Sequence, residues 1–110
     1  VMKRVIIESP YAGDVERNLR YARAAMKDCL HRGEAPYASH LLYTQEGVLD
    51  DDVAAERRLG IAAGLAWGDV ADLVVVYEDF GVTKGMRYAI DRHLSEGRTV
   101  EYRTLPNWIK

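Results

Sequence analysis

The segment Leu73-Val74-Val75-Val76-Tyr77-Glu78-Asp79-Phe80-Gly81-Val82-Thr83-Lys84-Gly85-Met86 decides the fold of this chain. Residues 73–77 form an uninterrupted apolar run, which is typical of a strand covered on both faces, as in parallel sheets. An acidic loop with a glycine follows, and a helix is predicted to begin near Lys84. In open α/β sheets, such a loop after the carboxyl end of a strand holds ligand-binding atoms.

The start of the chain repeats this arrangement. Val5-Ile6-Ile7 runs into Glu8-Ser9-Pro10-Tyr11-Ala12-Gly13-Asp14, and a helix capped by Asp14 is expected to follow. Two strand-to-helix corners of this kind predict one shared pocket.

Composition limits the classes of protein to consider. A length of 110 residues with 48% hydrophobic content predicts a single domain spanning 1–110. Because 15 basic residues face 17 acidic ones, with no long run of like charge, we expect neither a nucleic acid polymer nor a membrane as partner. The only cysteine, Cys29, cannot form an internal disulfide, and no secretory signal is visible, so we expect a cytoplasmic location. Cys29 is interpreted as a core thiol in preference to a nucleophile.

Strands and helices alternate along the chain. Strands are predicted at 3–7, 35–39, 73–77 and 99–102, and helices at 14–33, 53–67 and 84–95. In the first helix the apolar face is expected to comprise Val15, Leu19, Ala22, Met26, Cys29 and Leu30. This alternation predicts an α/β fold, a flavodoxin- or Rossmann-like three-layer sandwich around a four-stranded parallel sheet.

Right-handed crossovers favour the strand order 2-1-3-4. In that order the winding direction reverses between strands one and three. The loops after those strands, 8–13 and 78–85, are therefore expected to flank the crevice where such sheets bind ligands.

Several short motifs point to a family. They are Ser9-Pro10-Tyr11 after the first strand, Asn18 in the first helix, Ser39-His40, the approach to the third strand from Asp69 to Val76, and Gly85-Met86. With these motifs the chain resembles the nucleoside 2-deoxyribosyltransferase-like superfamily. It is similar, over nearly its whole length, to a branch of small bacterial and phage proteins that carry Ser-Pro-Tyr, Ser-His-Leu-Leu-Tyr-Thr-Gln, Gly-Met and a final Glu-Tyr-Arg.

This resemblance implies chemistry at the N-glycosidic bond of nucleosides or nucleotides. In the enzymes of the superfamily, a glutamate four residues after the helix-opening glycine acts on the anomeric carbon of the sugar. The fourth residue after Gly85 is Ala89, which carries neither a nucleophile nor a charge. The resemblance therefore favours binding of a nucleoside- or nucleotide-derived small molecule without the usual catalytic glutamate.

Two other functions remain open. The chain could be an N-glycosidic-bond hydrolase or nucleoside deoxyribosyltransferase with a relocated carboxylate, Asp79 or Glu8, or it could be a purely structural assembly protein. No cofactor is expected, because the sequence has neither a Walker motif nor a dinucleotide-binding Gly-x-Gly-x-x-Gly motif.

The candidate ligand-binding residues come from the two corners and the turn after the second strand: Ser9, Pro10, Tyr11, Gly13, His40, Thr83, Lys84, Gly85 and Met86. The resemblance implies that Thr83 holds a 5′-phosphate, assisted by Lys84 and the free N–H groups of the helix start. Alternatively, Thr83 merely caps that helix.

The other candidates also allow two interpretations each. Tyr11 stacks on a base or simply packs; His40 contacts the ligand or is structural; Glu8 and Asp79 activate a water together or are solvated loop charges. No metal site is expected, because His31 and His93 are placed far from His40 on helices.

Two further features concern the remaining helix and the tail. The run Asp50-Asp51-Asp52 is interpreted as the cap of the second long helix, with catalysis as the alternative, and Trp67 at the end of that helix is interpreted as a core residue. Trp108 in the tail 105–110 has little left to bury it in one domain, which predicts a homo-oligomer, a dimer or larger.

Overall fold

The computed structural model describes residues 1–108. The elements are β1 (Lys3–Glu8), α1 (Val15–His31), β2 (Glu34–Tyr37), α2 (Ser39–Leu42), α3 (Ala54–Ala66), a 3-10 turn (Trp67–Asp69), β3 (Leu73–Tyr77), α4 (Lys84–Ser95) and β4 (Val100–Arg103). All strand pairs are parallel, in the order β2-β1-β3-β4. The predicted fold class and strand order are confirmed.

The two central strands, β1 and β3, are covered on both faces. Side chains alternate along each strand, so Val5, Ile7, Val75 and Tyr77 join the core cluster on the α1 side. Val76 points the other way and packs with two residues of α4. The sheet therefore lies between α1 on one side and α4 on the other, which makes the three-layer arrangement.

The buried face of α1 differs from the predicted one. Val15 and Leu30 are exposed, and the buried residues are Asn18, Tyr21, Ala22, Ala25 and Cys29. The helix is rotated because Asn18 and Tyr21, although polar, form hydrogen bonds to loops at the carboxyl edge of the sheet. Asp14 caps the helix as predicted, accepting a hydrogen bond from the backbone N–H of Arg17 at 3.1 Å.

The segment after β2 also departs from the prediction. The strand ends at Tyr37, and residues 39–42 form one helical turn instead of a loop. Trp67 is 49% exposed, and its Nε1 donates to the hydroxyl of Tyr43 at 3.1 Å. The interpretation of Trp67 as a core residue is wrong, because its ring lies on the surface against Tyr37.

The acidic run does not cap α3. Val53 is the N-cap, and it makes no side-chain capping bond. A carboxylate oxygen of Asp50 accepts from the backbone N–H of Asp52 at 2.9 Å, and the N–H of Asp50 donates to Glu56 at 2.7 Å. The carboxylate of Asp50 therefore binds the backbone of the loop before α3 and not the first turn of the helix, so the capping prediction is wrong.

The tail packs on its own domain. The ring of Trp108 lies 5.2 Å from Tyr21 and 6.0 Å from Phe80, centroid to centroid. The expectation that Trp108 needs a partner subunit is wrong, because the α1 face of the sheet accommodates it. Ile109 and Lys110, the rest of the predicted tail, lie outside the described residues. Among residues 1–108, none of the helices combines the length and the apolar character needed to cross a bilayer.

Candidate functional site

A cavity of about 600 Å³ lies at the carboxyl end of β1, between α3 and α4. The first strand-to-helix corner lines it with Glu8, Ser9, Tyr11 and Ala12, and the second corner lines it with Thr83, Lys84, Gly85 and Met86. The two corners share this cavity because β1 and β3 are neighbours at the position where the winding direction reverses.

The opposite wall comes from α3, which the sequence did not connect with a site. Its lining residues are Glu56, Arg57, Gly60, Ile61, Gly64 and Leu65. A Cβ atom added to Gly64 would lie 2.7 Å from the side chain of Ser39, so only glycine lets α3 approach α2 this closely. The spacing of Gly60 and Gly64, one helical turn apart, was the available signal for this contact.

Ser9 and His40 form a pair at the base of the cavity. The Ser9 Oγ lies 2.6 Å from His40 Nε2, and both side chains line the cavity wall. Burial lowers the pKa of His40 to about 4. At neutral pH the imidazole is therefore uncharged, and it can offer a ligand a hydrogen bond but no positive charge.

Glu8 contacts a histidine of α4. One carboxylate oxygen of Glu8 lies 3.1 Å from Nε2 of His93, and the side chain of His93 is fully buried. His93 is not among the candidate residues from the sequence, although it contacts one of them. It faces the sheet from α4, and α4 packs directly over the end of β1.

Tyr11 projects from a loop that Asn18 fixes. The buried amide of Asn18 donates to the carbonyl oxygens of Tyr11 at 2.9 Å and Ala12 at 3.2 Å. Because the amide holds two successive carbonyl groups of this loop, the half-buried ring of Tyr11 is fixed at the cavity wall. The role of Asn18 was missed because a single asparagine inside a helix usually indicates only a surface position.

Thr83 caps α4. Its Oγ1 accepts from the backbone N–H of Met86 at 3.2 Å, as the capping interpretation requires. Lys84 and Gly85 are exposed at the first turn, and both border the cavity. Ala89 borders the same cavity one turn further along, and its side chain is a methyl group.

Three candidate residues are not part of the cavity wall. Asp79 accepts hydrogen bonds from the hydroxyl of Tyr21 at 2.5 Å and from the backbone N–H of Leu105 at 2.9 Å, both on the α1 side. Pro10 is buried beneath the loop. Gly13, with φ of +100°, borders an adjoining open cavity of about 850 Å³ instead.

The adjoining cavity is lined by the other side of the Tyr11 loop and by the segment 44–52. Its charged residues are Glu46, Asp50, Asp51, Asp52, Glu56 and Arg57. Seven residues border both cavities, among them Tyr11, Asp51, Glu56 and Arg57, so the acidic outer space adjoins the inner cavity.

Residues 3–103 match the family model described as Domain of unknown function (DUF7768). The chain belongs to the DUF7768 family. No curated protein and no solved structure matches the chain significantly. The matched DUF7768 segment contains all four strands and every residue of the inner cavity.

Within residues 1–108, no three His, Cys, Asp or Glu side chains are grouped so that they could hold a metal ion. The inner cavity of this DUF7768 domain presents the carboxylate of Glu8, the Ser9–His40 pair, the ring of Tyr11 and the start of α4.

Proposed function

We propose that the inner cavity binds a nucleoside or nucleotide-like small molecule and that the domain acts as a binding module. The observation that carries the proposal is the convergence of Tyr11, Glu8 and the first turn of α4 on one cavity at the switch point of the sheet. A cavity of about 600 Å³ is within the range that drug-sized ligands and cofactors occupy.

Each part of such a ligand has a matching group. The ring of Tyr11 can stack on a heterocycle, and Glu8 can accept hydrogen bonds from sugar hydroxyls. The backbone N–H groups at the start of α4, with Lys84 beside them, suit a phosphate. The motif resemblance supplies the ligand class, and Ala89 in place of the glutamate favours binding over turnover.

A second function is an N-glycosidase or deoxyribosyltransferase reaction that uses Glu8. The observation that favours it is the position of Glu8, which is the relocated carboxylate candidate that borders the cavity, whereas Asp79 is engaged elsewhere. Here Glu8 would act on the anomeric carbon or on a water beside it.

One experiment separates these functions. The protein is titrated calorimetrically with the common ribo- and deoxynucleosides and their 5′-monophosphates, and each mixture is then examined chromatographically for free base. Saturable binding with the ligand recovered unchanged supports the binding module. Release of free base that is lost in Glu8→Gln supports the enzyme. Binding of none of these compounds contradicts both and leaves the structural assembly protein.

A matched pair of variants tests the cavity itself. Ala89→Trp places a large side chain in the inner cavity and should abolish binding, whereas Arg87→Trp, on the exposed side of the same helix, should not. Equal affinities of the two variants would show that the ligand binds elsewhere.

We also propose that the protein forms a homo-oligomer, on the basis of exposed apolar side chains and no longer of Trp108. Large apolar side chains are exposed around α3 and α4: Leu59 is 61% exposed, Tyr88 51% and Trp67 49%. Light scattering of the wild type and of Leu59→Lys tests this, and a monomeric wild type contradicts it.

The lone buried thiol of Cys29 favours a cytoplasmic location, which cell fractionation tests.

A further inference from the structure

The two carboxylate oxygens of Glu8, at the edge of the cavity, have different surroundings. Its Oε2 is engaged by His93 at 3.1 Å, and within residues 1–108 its Oε1 has no hydrogen-bond partner. The hydroxyl of Tyr37 is the one buried side-chain polar atom without a partner in that part of the chain. The Oε1 atom of Glu8 is therefore accessible, and the inner cavity is the space that Glu8 borders.

The tautomer of His93 follows from its other neighbour. The guanidinium of Arg98 lies 3.0 Å from Nδ1 of His93. Because a guanidinium has donors and no acceptor, Nδ1 must be the unprotonated nitrogen. The ring proton is then on Nε2, and it is donated to Glu8.

Arg98 itself forms ion pairs with two acidic side chains. Its NH2 group contacts a carboxylate oxygen of Asp69 at 2.9 Å and one of Glu96 at 2.6 Å, and its side chain is only 10% exposed. A Cβ atom on Gly68 would lie 2.3 Å from its Cζ, so a larger residue there would displace the guanidinium from this position. A continuous series of contacts thus runs from the surface through Arg98 and His93 to Glu8.

We propose that His93 is a positioning residue that fixes the Glu8 carboxylate, so that the free oxygen of Glu8 accepts a hydrogen bond from the bound ligand. This inference rests on the proposed function, and it defines the ligand further. The ligand must place a hydrogen-bond donor against Glu8, either a sugar hydroxyl or an N–H group of the base, because an ionised carboxylate only accepts.

The contact itself is tested without any ligand. In protein with ¹⁵N-labelled histidine, long-range ¹H–¹⁵N spectra should show His93 protonated on Nε2 and not on Nδ1. Glu8→Gln should shift the Nε2 resonance, and Arg98→Met should produce a mixture of tautomers. Arg92→Met is the matched control, because Arg92 also contacts Glu96 but has no hydrogen bond to His93. Protonation on Nδ1 in the wild type would overturn the inference.

The consequence for binding is tested by calorimetry with the 5′-monophosphates of deoxyadenosine, deoxyguanosine, deoxycytidine and thymidine. Glu8→Gln and His93→Leu should each weaken binding about tenfold or more, as expected for loss of a hydrogen bond to a charged group. His93→Gln keeps a donor near the position of Nε2 and should stay within about threefold of the wild type, since the hydrogen bond is retained. Folding of each variant is checked by circular dichroism.

The outcomes distinguish the two proposals. If the wild type binds none of the four nucleotides, the proposed function fails, while the histidine spectra still decide whether His93 orients Glu8. If the wild type binds and folded Glu8→Gln binds equally well, this inference is wrong and the proposed function stands. If folded His93→Gln binds as weakly as His93→Leu, the hydrogen bond is not what His93 contributes, which also overturns it. Weaker binding of the 2′,3′-dideoxy analogue assigns the donor to the sugar, and unchanged binding assigns it to the base.

Discussion

The two faces of the sheet are filled differently. On the α1 side the space is closed: Arg103 forms two hydrogen bonds with Glu34, at 2.7 and 2.8 Å, and the rings of Tyr21, Phe80 and Trp108 pack against one another. On the α4 side a small core cluster is followed by the inner cavity. The side with the larger core supports the fold, and the side with the smaller core leaves room for a ligand.

The carboxylates at the ends of β1 and β3 show how this difference arises. Glu8 lies opposite Val76 in the register, so its side chain shares the α4 side with Val76. Asp79 comes two residues after Tyr77, and it is bound by Tyr21 on the α1 side. Both residues therefore lie at the carboxyl edge of the sheet, where ligands bind in such folds. The alternation of side chains along a strand decides on which face of the sheet each carboxylate lies.

The largest expected effect comes from breaking the closed side. Arg103→Met leaves Glu34 as a buried carboxylate without its partner, since the two side chains are only 5% and 12% exposed. We expect the free energy of unfolding to fall by about 3 kcal/mol or more. Urea denaturation followed by circular dichroism measures it.

The matched control is Arg92→Met, which removes an exposed pair with Glu96 in which the side chains are 47% and 38% exposed. It should lower the free energy of unfolding by about 0.5 kcal/mol or less. Similar losses in the two variants would mean that the α1 side is not a tightly packed support, and the contrast between the faces would not hold.

A smaller effect concerns the cavity side and depends on pH. The pKa of His40 is lowered by burial from 6.5 to about 4, so between these values the unfolded chain binds a proton that the folded protein does not. The free energy of unfolding should therefore decrease as the pH falls through this range, by about 2.5 kcal/mol in all. The measurement is urea denaturation at several pH values between 7 and about 4.

His40→Gln should remove this part of the pH dependence, and His31→Gln, at an exposed position, should keep it. The paired carboxylate of Glu34 adds to this loss only at the lower end of the range, because the hydrogen bonds from Arg103 lower its pKa from 4.5. An unaltered pH slope in His40→Gln would show that His40 is not desolvated at the base of the cavity.

Much of the architecture was predictable because it depends on patterns along the chain. The apolar run 73–77, the start of α4 at Lys84 and the strand order follow from periodicity and crossover handedness, and β3 and α4 have the predicted bounds. The same rules place the two corners at one cavity.

The details of the site depend on contacts between residues distant in sequence, which no local pattern encodes. Glu8 and His93 are 85 positions apart, and Asp79 and Tyr21 are 58 apart. The orientation of α1 was misjudged for the same reason: Asn18 and Tyr21 are polar, and only their loop partners explain why they are buried.

The smallest expected effect concerns Gly85, where one substitution should raise the stability of the fold and lower the affinity for the ligand. Gly85 lies in the first turn of α4 with ordinary helical geometry, and a Cβ atom there would meet no other atom within 4 Å. Gly85→Ala should therefore raise the free energy of unfolding by about 0.5 kcal/mol, because alanine loses less backbone entropy in a helix.

The added methyl group projects beside the inner cavity, since Gly85 borders it, so nucleotide affinity should fall in the more stable protein. Thermal denaturation and calorimetric titration of Gly85→Ala and of Arg87→Ala, a control on the exposed side of the same helix, measure both quantities. A gain in stability with unchanged affinity would show that the ligand does not approach the start of α4, which would contradict the phosphate contact proposed there.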